Sequence, residues 1–305
     1  MKAFRIPPRL IPLLIILPLI IAAALIFFLR APVLLVTDTS FDLLYGPARI
    51  RAKQIEVSVR LWRPVWPVPV SETVSPDLAA IAVQAASAKP YAVFFPYRYE
   101  AGARYYNALN PEVKTAVFMG RKRYESMPQG IYGIYTDSIS DVYKAGQISA
   151  QYIRSGAEFA LFYDDYSFGR EARDVFSSGL RHSGGSGIPI FLDLSDIYPN
   201  WQSAACVILT GNAADYLDRN RANPAVLFSW LDPDMTPQTV NAVFDDSPWA
   251  LLHRAVKEIE RGSFSIDLAS DIILLEKRVG DRTLLENLRR VIRSPLPDQL
   301  EINRH

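Results

Sequence analysis

Twenty consecutive residues, Leu10 to Leu29, carry no charge, and that run constrains everything after it. As a helix rising 1.5 Å per residue it matches the hydrocarbon core of a bilayer, about 30 Å thick. Pro12 and Pro18 interrupt the run and it has no polar face, which argues against a helix buried in a soluble core. Lys2, Arg5 and Arg9 precede it, and Arg30 closes it. That asymmetry predicts a cytoplasmic N-terminus and a single-pass protein whose remaining domain is extracytoplasmic, in the periplasm. The one cluster of small residues, Ala22-Ala23-Ala24, is followed by the bulky Leu25-Ile26-Phe27-Phe28-Leu29. An uncleaved signal anchor over residues 1–31 is therefore expected in preference to a cleaved signal peptide.

Lys and Arg total 33 against 32 Asp and Glu, so no global field draws in nucleic acid, and none is expected as a partner. Cys206 is the single cysteine. It excludes an intramolecular disulfide and lies far from any lipid-attachment position; within Ala204–Leu209 it is expected to be a buried, inert thiol. His182, His253 and His305 lack ligand spacing, so neither a metal nor another cofactor is expected. No G-x-S-x-G elbow, P-loop, G-x-G-x-x-G or H-E-x-x-H motif occurs, and no catalytic residue is assigned.

Beyond the anchor, Pro32–Asp38 reads as a buried parallel strand: β-branched and apolar residues ending in polar ones. Similar runs recur at Ile55–Leu61, Tyr91–Phe95, Lys114–Phe118, Ile131–Tyr135, Phe159–Tyr163, Ile188–Leu192, Ala205–Leu209, Ala225–Phe228 and Asn241–Phe244. Helical patterns separate many of them. Ser75-Pro76 starts one, Asp137–Gly156 carries apolar residues near helical period, and Phe168–Gly184 and Trp249–Gly262 end at glycines. A final amphipathic helix is expected over Thr283–Arg293. Alternating strands and helices predict an α/β chain with parallel sheets covered on both faces. The Pro-rich Pro64–Pro69 is expected at a sheet edge or in a surface loop, with Trp62 and Trp66 packed beneath it rather than forming a patch.

The stretch Asp137-Ser138-Ile139-Ser140-Asp141-Val142-Tyr143-Lys144-Ala145-Gly146 is followed by the strand Phe159–Asp165 and by Gly169-Arg170 through Gly179-Leu180. It resembles the lobe-crossing region of type I periplasmic binding proteins, the LacI-like fold. Val207–Gly211, Val226–Asp232 and Val240–Asp246 look most like the basic-membrane-protein branch, which includes purine-nucleoside receptors of ABC importers. The resemblance runs from Pro32 to Gly262 in element order. It implies a two-lobed fold with an N-terminal lobe over 32–136, a C-terminal lobe over 137–235, and a return segment with a C-terminal helix over 236–305. It also implies a non-enzymatic protein that binds a small polar solute, nucleoside- or sugar-like, between its lobes. An ABC permease or a sensor would be the partner.

Ligands of open parallel sheets collect at the carboxyl ends of strands. Reading those ends gives Asp38, Ser40 and Phe41, then Tyr97 with Arg98 beside it, the hinge residue Asp137, and Asp165, Phe168 and Arg170, with Trp230 and Asp232 last. Rings there would stack on a flat ligand face and carboxylates would accept from hydroxyls or amines. Asp38, Asp137 and Asp165 could equally cap the helices that follow them. Asp164-Asp165 and Asp245-Asp246 are expected to be solvated or capping. Two alternatives share these residues: a ligand-free envelope scaffold, and a membrane-anchored glycosyltransferase holding a metal-nucleotide with Asp232 and Asp234.

Overall fold

A computed structural model describes residues 11–71, 75–87, 89–121, 127–153, 159–163, 171–185, 190–192, 204–210, 225–229 and 232–297. After α1 (Ile11–Leu29), the chain lays down β1 (Val33–Asp38), α2 (Thr39–Tyr45), α3 (Pro47–Leu61), β2 (Val65–Val70) and α4 (Pro76–Ala86). Then come β3 (Ala92–Pro96), α5 (Glu100–Leu109), β4 (Lys114–Gly120) and β5 (Ile131–Thr136). It crosses to α6 (Ser138–Ser149), β6 (Phe159–Tyr163), α7 (Ala172–His182), β7 (Ile190–Leu192), β8 (Ala204–Thr210), β9 (Ala225–Phe228) and β10 (Val240–Asp245). It returns for α8 (Pro248–Glu260) and β11 (Ser265–Leu268), then crosses once more to β12 (Asp271–Leu274) and α9 (Arg282–Arg293).

Two six-stranded sheets result. The first has the order β11-β5-β4-β3-β1-β2 and is parallel throughout; the second has the order β12-β10-β9-β8-β6-β7, with only β12 antiparallel. Helices cover both faces of the first sheet, so its strands are buried on both sides, as unbroken runs such as Val33–Val36 require. On one face Val33, Leu35, Phe94 and Phe118 pack against α8 through Trp249, Leu252, Val256 and Ile259. On the other, Leu34, Val36, Val93 and Phe95 meet Ala79, Val83, Ala103 and Tyr106 of α4 and α5. The first lobe is thus discontinuous in sequence: the chain leaves it after Thr136, returns at Ser247-Pro248, and leaves again after Leu268.

In the second lobe α6 and α7 approach so closely that glycine faces backbone. A Cβ on Gly146 would lie 2.2 Å from the Phe176 carbonyl oxygen, and one on Gly179 would lie 2.1 Å from that of Tyr143. The helix α9 closes this lobe with Leu288 buried and Leu284, Leu285, Val291 and Ile292 packed against the same cluster. Its last carbonyls, which have no partner within the helix, are met by a lysine from α6. Lys144 Nζ donates to Val291 O at 2.8 Å, to Ser294 O at 2.6 Å and to Ser294 Oγ at 2.9 Å. Lys144→Met removes all three contacts; Val291 O keeps only its Ser294 donors and Ser294 O loses the charged one. The substitution is expected to cost about 1.5–3 kcal/mol and to speed amide exchange selectively in α9, as hydrogen-exchange mass spectrometry would read.

Two expectations need correction. Ile55–Leu61 is not a strand but the second half of α3. Its alternation of apolar with polar residues imitates a strand, yet Ile50, Val57 and Leu61 form the helical stripe that meets the core. Glu56–Arg60 and Lys53–Glu56 ion pairs at helical spacing run along the same element. Trp62 and Trp66 do not pack beneath a loop; they are 44% and 41% exposed. The Pro-rich stretch itself forms β2, the edge of the first sheet, where Pro67 and Pro69 take no donor from the ladder.

The helix α1 carries no charged residue, and from Ile16 to Leu29 its apolar side chains are mostly exposed. Side chains are described only from Ile16 onward, and over the residues so described no helix is long and apolar enough to cross a membrane.

Candidate functional site

At the carboxyl ends of β1, β3 and β4 the first lobe opens into a cavity of about 280 Å³. Val36, Thr37, Asp38, Ser40 and Phe41 supply one wall, Pro96 and Tyr97 a second, Phe118, Met119 and Gly120 a third, and Asp246 with Pro248 the rim. The strand order explains the position: β1 is flanked by β2 on one side and β3 on the other, and the connections diverge there to leave a crevice.

Each polar group has its own local cause. Asp38 sits at the N-cap of α2 and accepts from Phe41 N and Ser40 Oγ, both at 2.8 Å, which uses Oδ1. Phe41 stacks on Tyr45 at 5.2 Å between ring centroids, so its ring is held as the cavity wall. Tyr97 begins the 3₁₀ turn after β3 and stays largely exposed. Asp246 is held by Arg121, whose Nε lies 3.2 Å from its Oδ2. Asp42, on the same helix as Phe41, has its carboxyl raised by burial, with a Thr37 hydrogen bond opposing and the Asp38 charge adding to the rise.

Of the residues expected at the site, Asp38, Ser40, Phe41 and Tyr97 come together in this cavity. Asp137 does not line it: its carboxylate caps α6, accepting from Ser140 N at 3.1 Å and Ser140 Oγ at 2.6 Å. Asp232 does not line it either. Its N–H donates to Leu44 O at 2.9 Å, its Oδ1 accepts from Asp234 N at 3.0 Å, and its carboxylate lies against Gly46. That is a turn clamping one lobe to the other, and Asp234 is exposed outside it. Asp165, Phe168, Arg170 and Trp230 lie outside the described residues, as does Asp164. Among the described residues no cluster of three or more His, Cys, Asp or Glu could hold a metal ion.

The sequence reading missed the groups that join the lobes. Asp245, expected to be solvated or capping, is fully buried, accepts from Tyr45 Oη at 2.9 Å and pairs with Arg49. It also accepts from Ser247 N at 3.0 Å, so it shapes the start of α8 as well. Burial raises its carboxyl, with Arg49 and Ser247 opposing, and burial also pushes the Tyr45 hydroxyl up. Arg121 is the second joint. Its Nη1 lies 2.9 Å from Asp141 Oδ2, its Nη2 donates to Ser270 Oγ at 3.2 Å, and its guanidinium lies 5.0 Å from the centre of the Phe228 ring. Asp141, Asp246 and Ser270 each stand close to one of the three crossings between lobes, so one guanidinium gathers all three. The only local hint was Asp245-Asp246-Ser247-Pro248, a strand end running into a capped helix with proline at its first position.

No family model matches the chain, and no curated protein matches it significantly. Solved structures do. A solute-binding protein of an ABC transporter system from Conexibacter woesei is 13% identical with a TM-score of 0.55, covering 86% of this chain and 95% of its own. A transcriptional activator of the comK gene from Bacillus halodurans is 12% identical with a TM-score of 0.53, covering 88% of this chain and 100% of its own. At such identity the likeness concerns the fold: the chain has the two-lobed α/β architecture, with parallel sheets flanked by helices, that these proteins share.

Proposed function

We propose that this protein is a membrane-anchored, extracytoplasmic solute-binding protein that takes a small polar ligand at the first-lobe cavity, with the second lobe closing over it. The observation that carries the reading is that cavity: open, walled by Phe41 and Tyr97, polar through Asp38, Ser40 and Asp246, and set where the parallel strands of the first lobe end, beside the crossing at Asp246. Nucleoside-like and sugar-like ligands both fit rings beside carboxylates. The protein would hold the solute without covalent chemistry and present it to an ABC permease or a sensor. Anchoring is supported by the twenty-residue apolar run, its basic head and the outward-facing apolar side chains of α1.

The full-length chain in mild detergent, screened by thermal shift against nucleosides, sugars and amino acids, tests this. A ligand at a hundredfold excess over its Kd stabilises by about 2.7 kcal/mol, which raises the midpoint by a few degrees for a domain of this size. One chemical class should do so, and Tyr97→Ala should abolish the shift while leaving the unliganded midpoint within about 1 °C. Silence from every class would sink the receptor reading. It would favour the scaffold instead, a reading supported by the interlobe joints at Asp245 and Arg121, which tie the lobes through the protein's own side chains.

A further inference from the structure

The end of the first lobe opposite the cavity is built from the N-terminal ends of its strands, and α1 enters there. Val33 N donates to Pro64 O at 2.9 Å and Tyr91 N to Pro32 O at 2.7 Å, so the first residues after α1 are stitched into this base. Arg30 Nη1 donates to Trp62 O at 3.4 Å, and the Phe27 ring of α1 meets the Trp62 indole edge-on at 5.6 Å. The domain is therefore held against α1 by contacts as well as by the chain.

This base is apolar where a free-standing lobe would be polar. Ile55, Val59 and Trp62 follow one another at helical spacing along α3, and the first two are 66% and 63% exposed. Trp66, the second residue of β2, is exposed at the same end. Trp62 also adopts a left-handed backbone, φ 51° and ψ 39°, as the cap of α3. It is the only residue other than glycine with positive φ among the described residues. That position favours glycine, and a bulky side chain holds it against a steric cost. The Trp62 ring meets Phe27 of α1 rather than the core cluster of the first lobe, and the residue is 44% exposed. Arg30, Arg60, Arg63 and Lys89 lie at the same end, Arg63 over the Tyr91 ring at 3.8 Å; the carboxylates there are Glu56, paired with Arg60 at 2.8 Å, Glu112, and Glu260, which accepts from Tyr91 Oη at 2.7 Å.

We propose that this base seats in the headgroup layer of the bilayer that α1 enters, with Trp62 and Trp66 as interfacial anchors and the arginines and lysine favouring anionic phospholipid. Indole rings prefer that layer, and basic groups are drawn to its phosphates. The seat rests on the anchor reading above and deepens it. It fixes the cavity, at the far ends of the same strands, facing away from the lipid and toward the aqueous side.

The test uses the full-length chain reconstituted into phosphatidylcholine vesicles containing phosphatidylglycerol, with some lipids brominated near the top of the acyl chain. Bromine quenches only tryptophans at that depth. Quenching should be clear in the wild type and markedly reduced in a Trp62→Phe/Trp66→Phe variant; Trp201, Trp230 and the buried Trp249 are common to both proteins, so the difference reads Trp62 and Trp66. Trp62→Gly should lose its share of the quenching while its midpoint in detergent stays level or rises, because glycine suits the left-handed backbone. A clear fall in that midpoint would make Trp62 a folding residue and overturn the proposal. Flotation with the vesicles but equal quenching in wild type and double variant would keep the anchor and overturn the seat. Failure to float, or release by alkaline carbonate, would sink the anchor and the seat with it.

Discussion

Gly179→Ala and Gly146→Ala are each expected to destabilise the second lobe by at least about 3 kcal/mol, although glycine to alanine within a helix ordinarily stabilises by about 1 kcal/mol. The sign reverses because the added methyl would meet backbone, not a side chain that can turn aside. The new carbon falls 2.1 Å from Tyr143 O in one case and 2.2 Å from Phe176 O in the other, so α6 and α7 must separate. The two losses should not add. Once one methyl has pushed the helices apart, the second finds room, and a double-mutant cycle should show coupling of about 1–3 kcal/mol. Gly280→Ala is the control, since its methyl would meet nothing within 4 Å, and it should change stability by less than about 0.5 kcal/mol. Urea unfolding followed by circular dichroism reads all four variants. Neutral behaviour at Gly146 and Gly179 would show that the helices are farther apart than described.

Arg121→Met is expected to cost about 3–5 kcal/mol, because it strands the buried Asp141 carboxylate without its cation. The loss should depend on pH in a definite direction. Burial already raises the Asp141 carboxyl, while Arg121 and Ser270 pull it down; removing the guanidinium lets burial act with less opposition. A carboxyl whose folded pKa exceeds its unfolded one holds extra protons in the native state. Stability therefore falls as pH rises through that window, and the penalty is complete above the folded pKa. The deficit of the variant should be largest at about pH 8 and should shrink toward about pH 5. A flat deficit below about 1 kcal/mol would mean that Asp141 is not dependent on Arg121. Because the same guanidinium holds Asp246 at the cavity rim, the variant should also weaken any ligand found in the thermal-shift screen.

Much of the architecture was legible because buried parallel strands must be apolar on both faces, and runs such as Val33–Val36 and Val226–Phe228 carry that signal without help from their neighbours. It failed at Ile55–Leu61, where a helix leaves Ile55 and Val59 exposed and so shows a strand's alternation. The cavity wall was legible where a polar residue closes a strand, as at Asp38 and Tyr97. Asp137 and Asp232 carry the same local signal but are turned to capping and to the interlobe turn. The joints left only the hint at Asp245–Pro248, which marks a capped helix and not the partners it meets. Arg121 meets Asp141 and Ser270 across 20 and 149 positions of sequence, and Tyr45 meets Asp245 across 200. No periodicity encodes such pairings; only the completed crossings bring them together.

The interleaving of the lobes has a consequence for how the molecule comes into being. A nascent chain that has emerged as far as Thr136 possesses five strands of its first sheet but lacks the edge strand Ser265–Leu268 and the covering helix Pro248–Glu260. The side of that half-built sheet that awaits Trp249, Leu252 and Val256 would be covered only in part, by α2 and α3, while the entire second lobe is being made. The first lobe is thus completed only after the second has been made. A gene fusion that cuts the chain between Asp137 and Ser247 should therefore yield an aggregating fragment rather than a smaller working domain.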